Sequence, residues 1–503
     1  MTRSAPFALH DPPSDRPLVI ALAFALCCLL SATAGTAPAA PAHTDAPPNF
    51  VFILIDDLGW ADVGCFGSDF YQTPNVDRLA ARGMKFTDGY AACPVCSPTR
   101  ASILSGKYPA RLKLTNFIAG RRRLENARVL PADFKLQMEL EEVTIAEALR
   151  SAGYTTCHVG KWHLGSEAYW PEHQGFDVNV GGCGAGMPSS FFYPDWTKNV
   201  PIPDGKPGEY LPDRLAAEAV AFLEKSREKP FFLYLAHYAV HIPMQAKQEM
   251  IEKYRARREA DPSTKQGNPV YAAMVESVDQ SVGRVLDALD RLKIADRTIV
   301  FFFSDNGGLS TPEGPHTPAT TNAPLRAGKG YLYEGGIREP MIVHWPGVTE
   351  PGSVSRVPVT SVDFYPTILE MAGVSGDSGH VPDGVSLVPL LRRTGTPPRD
   401  AIYWHYPHFS NQGGMPGGAV RKGDYKLIHF YEDDRVELYN LARDIGETNN
   451  LAGQMPDKTA ELRKLLAAWL DEVDATMCPP NPDHDPARPL GPPVRSARKT
   501  TTR

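Results

Sequence analysis

Short apolar runs alternate with amphipathic segments along most of the 503-residue chain. The run at 51–55, Val-Phe-Ile-Leu-Ile, is continuously apolar, which is typical of a strand covered on both faces in a parallel sheet. Similar runs follow at 155–160, 230–236 and 297–304. Because helical patterns separate these runs, the sequence predicts an α/β fold with a large, mainly parallel sheet.

Two of the intervening segments illustrate the helical pattern. The first begins with Thr73 as a predicted N-cap and Pro74 at the first helical position, and it stops at Gly83. The second, at 275–292, has apolar residues on one helical stripe: Val275, Val278, Val282, Val285, Leu286 and Leu289. Helices of this kind would cover the faces of the sheet.

The pattern changes after about residue 392. Short alternating strands are followed by an amphipathic helix near 457–474. We therefore predict a catalytic α/β domain over 49–392 and a small α+β subdomain with an antiparallel sheet over 393–476. Residues 477–503 are rich in Pro, Arg and Asp and are predicted to form a disordered tail.

The N-terminus has the order of a secretory signal. Arg3 and Arg16 precede the apolar run at 18–30, and small residues follow it. We expect a signal peptide over 1–34 and a linker over 35–48. The alternative is an uncleaved membrane anchor. The apolar run is short for a segment that spans a membrane, so no stable membrane insertion is expected.

Composition narrows the class of protein. The chain has 42% hydrophobic and 22% charged residues and a formal net charge of −6, without the basic excess that a nucleic-acid partner would favour. Six of its eight cysteines lie beyond the signal, too few for a dense disulfide framework in a chain of this size. The signal predicts an exported protein, periplasmic or secreted, and the absence of any Asn-x-Ser/Thr sequon favours a bacterial origin over a glycosylating secretory pathway.

Polar residues follow the four apolar runs, and open parallel sheets bind ligands beyond the carboxyl ends of their strands. The residues concerned are Asp56 and Asp57, Lys161 and His163, His237 and His241, and Asp305 and Asn306. The acidic and amide side chains among them offer hard oxygen ligands, which Ca²⁺ or Mg²⁺ prefers. Zinc is the competing interpretation, because histidines are nearby.

Fixed positive charge is predicted beside these oxygen ligands. Arg100, Lys161 and His163, together with a divalent cation, would form a pocket for a tetrahedral oxyanion. Each of these residues taken alone could equally be a loop polar group or a surface charge. The pocket would suit phosphate and sulfate equally.

Six motifs occur in order along the chain: Asp56-Asp57, CSPTRASILSG at 96–106, GKWHLG at 160–165, HIP at 241–243, SDNGG at 304–308 and LRAGKGYLYEGGIREP at 325–340. Together they resemble the type I, formylglycine-dependent sulfatase family over about 49–441. The signature Cys-x-Pro-x-Arg followed by Gly is matched by Cys96, Pro98, Arg100 and Gly106. The resemblance implies an alkaline-phosphatase-like fold, with a large mixed sheet sandwiched by helices.

The resemblance also implies a sulfuric ester hydrolase with a modified nucleophile. Cys96 would be oxidised to Cα-formylglycine by a maturation enzyme, and its hydrate would attack sulfur. Arg100 and Lys161 would hold the diol. One Ca²⁺ ion would be held by the oxygen ligands Asp56, Asp57, Asp305 and Asn306.

Three further residues receive roles from the family pattern. His241 and Lys329 would serve the leaving group and the sulfate oxygens. His163 would deprotonate the second hydroxyl, so that sulfate leaves and the aldehyde is regenerated.

The alcohol side of the substrate is less well specified. Candidates are the loops at 181–196, 313–324 and 405–414, with His316, His405 and His408 as predicted substrate-binding residues. Aromatic residues of the first loop could stack on sugar rings or belong to the core: Phe191, Phe192, Tyr193 and Trp196. We favour a sulfated carbohydrate, with small aryl sulfates as surrogates.

Two alternatives stay open. A phosphomonoester or phosphonate hydrolase on the same scaffold would turn over a phosphate monoester with Cys96 intact. A non-catalytic protein that binds sulfated glycans would keep its binding after Cys96→Ala and release no sulfate.

Overall fold

The computed structural model describes residues 47–120 and 122–494. The predicted signal peptide, most of the predicted linker and residues 495–503 of the predicted tail lie outside the described residues. The main element is a nine-stranded sheet. Its strands are β1 Asn49–Ile55, β2 Met84–Tyr90, β3 Thr155–Gly160, β4 Val178–Val180, β5 Phe231–Ala236, β6 Thr298–Ser304, β7 Arg338–His344, β8 Ser353–Ser355 and β9 Val359–Thr360.

Strand β1 lies at the centre of this sheet. The order is β4-β3-β5-β1-β6-β7-β2-β8, with β9 beside β2, and only the pairings of β7 with β6 and β2 are antiparallel. Successive β1 residues point to opposite faces: Val51 and Ile53 pack into one apolar cluster, Phe50 and Phe52 into the other. A continuously apolar run is therefore required, because both faces of the strand are buried.

Helices cover both faces of the sheet. Those described are α1 Pro74–Arg82, α2 Cys96–Ser105, α3 Pro109–Leu112, α4 Ile145–Ser151, α5 Leu211–Ser226, α6 Gln248–Ala260, α7 Pro269–Arg291, α8 Glu334–Ile337, α9 Phe364–Ala372, α10 Val388–Leu391 and α11 Pro456–Glu472. One face carries α1, α5, α6 and α7, and the other carries α2, α4, α9 and α10. This arrangement confirms the predicted α/β fold.

Helix α1 starts at the predicted residue but is capped from elsewhere. Thr73 occupies the N-cap position, yet its side chain makes no capping hydrogen bond. Instead, the Asp279 carboxylate on α7 accepts from the backbone N–H groups of Asn75 (2.9 Å) and Val76 (2.8 Å). The long apolar helix α7 thus supplies both packing and the cap of its neighbour.

The small C-terminal sheet is antiparallel, as predicted. Its strands, in order, are β10 Ala401–Tyr406, β11 Gly417–Lys422, β12 Tyr425–Phe430 and β13 Val436–Asn440. Helix α11 packs on it through Leu462, Leu466 and Trp469. The predicted boundary at 392 falls between α10 and β10.

The segment 477–494 is ordered, contrary to the predicted disordered tail. It runs beside residues 122–130, with β-bridges between Val129 and Pro480 and between Leu124 and Pro493. Backbone hydrogen bonds join the same two segments, including Glu125 N–H to Pro492 O at 2.9 Å. The sequence does not predict this pairing for two reasons. The segment is rich in proline, and its partner segment lies more than 350 residues away along the chain.

Two further findings concern the described residues only. Their six cysteines all carry free thiols, so no disulfide joins any two of them. None of their helices has the length and apolar character needed to cross a bilayer.

Candidate active site

Four adjacent parallel strands, in the order β3-β5-β1-β6, deliver the predicted polar residues to one edge of the sheet. The structure brings together Asp56, Asp57, Lys161, His163, His241, Asp305 and Asn306, and Lys329 joins them from the loop before α8. His237 does not join them. Its Nε2 contacts Ser281 Oγ at 2.9 Å, on α7.

The oxygen ligands at this edge include two buried atoms that accept no hydrogen bond from the described residues. These are Asp56 Oδ1 and Asn306 Oδ1. Ligand atoms of Asp56, Asp57 and His241 also lie within 4.8 Å of one another. Buried oxygen atoms without hydrogen-bond donors are costly unless a cation binds them, so these residues fit a divalent cation.

Each carboxylate in the cluster has its own cationic partner. Lys161 Nζ lies 2.7 Å from Asp56 Oδ2, and Lys329 Nζ lies 2.7 Å from Asp57 Oδ2. Burial alone would raise the pKa of Asp57, but the Lys329 ammonium and His241 outweigh it and bring the pKa to about 2. Asp57 is therefore ionised at any working pH.

Asp305 is paired with Arg100, which lies one turn after Cys96 on α2. Arg100 Nε donates to Asp305 Oδ2 at 2.8 Å, and Nη1 donates to the Lys161 carbonyl at 2.7 Å. The other Asp305 oxygen accepts from the Asp57 backbone N–H at 3.2 Å. Arg100 thus ties the helix that carries Cys96 to the carboxylate cluster.

Cys96 is the first residue of α2 and is buried. Its Sγ lies 3.4 Å from His163 Nδ1. Burial raises the pKa of the Cys96 thiol, although Lys161 and Lys329 oppose this. An unmodified Cys96 is therefore a protonated thiol here, which is a poor nucleophile.

The two histidines of the cluster are neutral. Burial, together with Lys161, holds the pKa of His163 well below its usual value. Burial and Lys329 bring the pKa of His241 to about 3, although Asp57 lies only 3.6 Å from its Nε2. A neutral imidazole can accept a proton, which suits the predicted role of His163 as a base.

Two of the three predicted substrate-binding histidines are buried away from this cluster. His405 has both ring nitrogens bonded, Nδ1 to Tyr431 Oη and Nε2 to the Thr476 carbonyl. His408 Nε2 contacts Thr115 Oγ1 at 2.8 Å. These contacts of both imidazoles are thus with other parts of the protein. His316 is exposed in the 313–324 loop.

The aromatic residues of the loop at 181–196 also differ in their burial. Phe191 and Trp196 are fully buried and belong to the core, so they offer no face to a sugar. Phe192 and Tyr193 are half-buried. Gly186 of this loop lies against the imidazole of His163, a contact that the sequence analysis missed.

A family model described as Sulfatase matches residues 48–374. The chain belongs to the sulfatase family. A second model, described as N-sulphoglucosamine sulphohydrolase, C-terminal, matches residues 327–476. The resemblance stated from the motifs is thereby confirmed, and the protein is a hydrolase of the sulfatase family.

Relatives support this family membership over most of the chain. A protein named Sulfatase from Formosa agariphila is 34% identical and is matched over 85% of this chain and 89% of its own. The N-acetylgalactosamine-6-sulfatase of Canis lupus familiaris is 34% identical, with 89% and 84% covered. Human arylsulfatase A is 32% identical, with 87% and 89% covered.

Two solved structures share the fold of this chain. The crystal structure of Ps i-CgsB in complex with k-i-k-neocarrahexaose has a TM-score of 0.72 and 30% identity, covering 84% of this chain and 93% of the other. BT4656 in complex with its substrate D-glucosamine-2-N,6-O-disulfate has a TM-score of 0.63 and 26% identity, covering 85% and 98%. Both of these proteins were solved with carbohydrate ligands.

His241 lies at a position that was not predicted from the sequence of this sulfatase. We predicted His241 beside the leaving group, whereas the structure places it within the group that could hold a metal, next to Asp56 and Asp57. Its position after β5, the strand that pairs with β1, is the signal that could have revealed this.

Proposed function

We propose that this sulfatase hydrolyses sulfate monoesters of carbohydrates, with a hydrated formylglycine derived from Cys96 as nucleophile and one Ca²⁺ ion. The observation that carries the proposal is the position of Cys96. Its Sγ lies 3.4 Å from the neutral imidazole of His163 and beside a cluster of three carboxylates and three cations. An inert buried cysteine would need neither a base nor such a cluster.

The proposed cation would be held by oxygen atoms of Asp56, Asp57 and Asn306, with Asp305 or His241 completing the set. It would supply positive charge to the sulfate oxygens and lower the pKa of the attacking hydroxyl. Oxygen donors dominate this set, which favours Ca²⁺ over zinc.

The residues around Cys96 have separable tasks in this proposal. Lys161 and Lys329 supply fixed positive charge to the sulfate group in a site closed to bulk water. Arg100 keeps α2 in place through Asp305. His163, neutral and in contact with residue 96, accepts the proton of the second hydroxyl, after which sulfate can leave.

The leaving alcohol needs a proton, because sugar alkoxides are too basic to depart without one. Lys329 is the candidate donor. Burial disfavours its charge, but the Asp57 carboxylate raises the pKa of Lys329 above its usual value, so the ammonium is present at neutral pH. His241 beside Asp57 would help to position the departing oxygen.

A sulfated carbohydrate is favoured as substrate because solved relatives hold such ligands, and small aryl sulfates should act as surrogates. The predicted signal supports export to the periplasm or the outside of the cell, where polysaccharides are met. Maturation of Cys96 would require a formylglycine-generating enzyme as a partner.

The decisive experiment combines mass spectrometry with an activity assay. The tryptic peptide Phe86–Arg100 from protein made in a maturation-competent host should contain formylglycine in place of Cys96. The same preparation should release sulfate from an aryl sulfate, and Cys96→Ala should abolish release. An active preparation that contains only unmodified cysteine would overturn the mechanism.

A matched phosphate ester tests the competing hydrolase activity. The assay uses the aryl phosphate with the same leaving group, on wild type and on Cys96→Ala. Preference for the sulfate supports the proposal. Faster turnover of the phosphate by protein whose Cys96 is unmodified would favour a phosphomonoester hydrolase instead.

A further inference from the structure

A pocket of about 470 Å³ lies between the loop that follows α3 and the C-terminal segment. Its walls come from four separate parts of the chain: Phe117, Arg122, Glu313, Asn411, Pro493 and Val494. Residues with an aromatic ring, a guanidinium, a carboxylate and a carboxamide therefore line one space. This combination is typical of carbohydrate binding, where polar groups meet hydroxyls and a ring packs on the sugar face.

The pocket adjoins the catalytic cluster on the Cys96 side. The Ile118 carbonyl, next to the pocket residue Phe117, lies 3.4 Å from His163 Nε2. The Ile118 backbone N–H donates to Ser97 Oγ at 3.1 Å, one residue from Cys96. One wall of the pocket is therefore attached directly to the catalytic helix and its base.

The pocket also adjoins the cluster on the leaving-group side. Gln412 Nε2 donates to Glu313 Oε2, which joins two of the pocket walls. Gly330, which follows Lys329, lies so close to Gln412 that a Cβ there would be 2.6 Å from its Oε1. A substrate whose sulfate sits at Lys329 and Cys96 would extend towards this pocket with its alcohol part.

Arg122 has unused binding capacity in the pocket. Its Nη1 donates to the Asn411 carbonyl, and within residues 47–120 and 122–494 no ion pair with a carboxylate is found for it. A guanidinium has five N–H donors in a planar fork that matches a carboxylate or sulfate group. Its position beside Val494 depends on the pairing of segment 477–494 with residues 122–130.

We propose that this pocket binds the sugar residue next to the one that carries the scissile sulfate, and that Arg122 recognises an anionic substituent on that sugar. The inference rests on the proposed function and adds its substrate class, an oligosaccharide with at least two anionic groups. Carboxylate and sulfate share the chemistry that Arg122 recognises, so the test includes both.

The test compares four substrates: an aryl sulfate, and sulfated disaccharides whose second sugar is neutral, bears a carboxylate or bears a second sulfate. Arg122→Ala should lower kcat/KM roughly 10-fold or more for the anionic disaccharides, because a charge-assisted hydrogen bond is lost. The aryl sulfate and the neutral disaccharide should change less than about two-fold, since neither carries an anionic group for the guanidinium to bind. Arg123→Ala, which removes an exposed charge one residue away, should leave all four unchanged.

A binding measurement separates this inference from the proposed function. Calorimetry with the full-length Cys96→Ala protein and Ca²⁺ should show tighter binding of the anionic than of the neutral disaccharide. Val494→Asp, at an exposed position, should remove that preference by placing a carboxylate near Arg122. Equal affinity for the neutral and both anionic disaccharides, or an equal effect of Arg122→Ala on all four substrates, would overturn the inference. Failure of wild type to release sulfate from the aryl sulfate would instead count against the proposed function.

Discussion

Gly186 lies against the imidazole of His163, so closely that a Cβ at position 186 would be 2.5 Å from Cε1 and 2.7 Å from Nε2. We predict that Gly186→Ala lowers kcat for an aryl sulfate roughly 10-fold or more, because the added methyl group displaces the proposed base from residue 96. Kinetics on the matured enzyme measure the effect. KM should change much less than kcat, since the sulfate contacts are untouched.

Gly453→Ala is the matched control for this substitution. Its Cβ would meet no atom within 4 Å, so activity should equal that of wild type. The thermal unfolding temperature of both variants should confirm that the fold is intact. A folded Gly186→Ala enzyme with the wild-type kcat would contradict a catalytic task for His163.

Cation binding should stabilise the protein through Asp56. After treatment with a chelator, adding Ca²⁺ should raise the unfolding temperature, by an amount corresponding to about 2.7 kcal/mol at a hundredfold excess over Kd. Asp56→Asn should lose most of this shift because Oδ1 of Asp56 is a buried oxygen without a hydrogen-bond donor, and the variant removes its negative charge. Differential scanning calorimetry with Ca²⁺, Mg²⁺ and Zn²⁺ also tests which ion is preferred.

Asp62→Asn provides the control for the cation experiment. Asp62 is likewise buried, but Tyr271, Thr320 and the Gly59 N–H already donate to its carboxylate. Its variant should respond to Ca²⁺ as wild type does. An equal response from Asp56→Asn would exclude Asp56 as a ligand.

The large sheet could be predicted because its central strands are continuously apolar. Alternate residues from Phe50 to Ile55 pack into the apolar clusters on the two faces of the sheet. Every position is therefore apolar, and this pattern can be recognised in the sequence. The polar residues after each run could then be placed at one edge by the geometry of parallel strands alone. That step brought Asp57 and Asn306 together, although 249 residues separate them.

Other features of the structure could not be predicted from the local sequence. The bond from Arg100 to Asp305 joins residues 205 positions apart in the sequence. The sequence alone cannot distinguish a histidine that binds substrate from one that packs inside the protein. For His405, the distinguishing observation is its contact with Tyr431 in the structure. Segment 477–494 has the composition of a flexible tail, yet its backbone forms hydrogen bonds with residues 122–130.

Asp279 should make stability depend on pH. Burial raises the pKa of this carboxyl from 3.8 to about 6, although the N–H groups of Val76 and Asn75 oppose the shift. The folded protein therefore binds the proton more tightly than the unfolded chain, and stability falls as pH rises from about 4 to about 6. Asp279→Asn keeps an oxygen that can accept both N–H groups and removes the titration.

Urea unfolding at several pH values measures this effect. Between about pH 4 and about pH 6, the free energy of unfolding of wild type should fall relative to Asp279→Asn by roughly 2 kcal/mol. Asp287→Asn, on the exposed side of the same helix, should follow wild type. Curves for wild type and Asp279→Asn that stay parallel would show that burial does not shift this carboxyl.

Lys426 joins the small sheet to the segment that follows Lys329. Its Nζ lies 2.9 Å from Glu334 Oε1 and 2.9 Å from Glu447 Oε1, and all three side chains are fully buried. Lys426→Met should lower the free energy of unfolding by about 3–5 kcal/mol, because two buried carboxylates lose their shared cation. The double variant Lys426→Met/Glu447→Gln should recover part of that loss, since one uncompensated charge is removed. Chemical denaturation measures the free energy of unfolding of both variants. The control is Lys422→Met, at a half-exposed position on the same sheet. If Lys426→Met lowers the free energy of unfolding no more than Lys422→Met does, the prediction is contradicted.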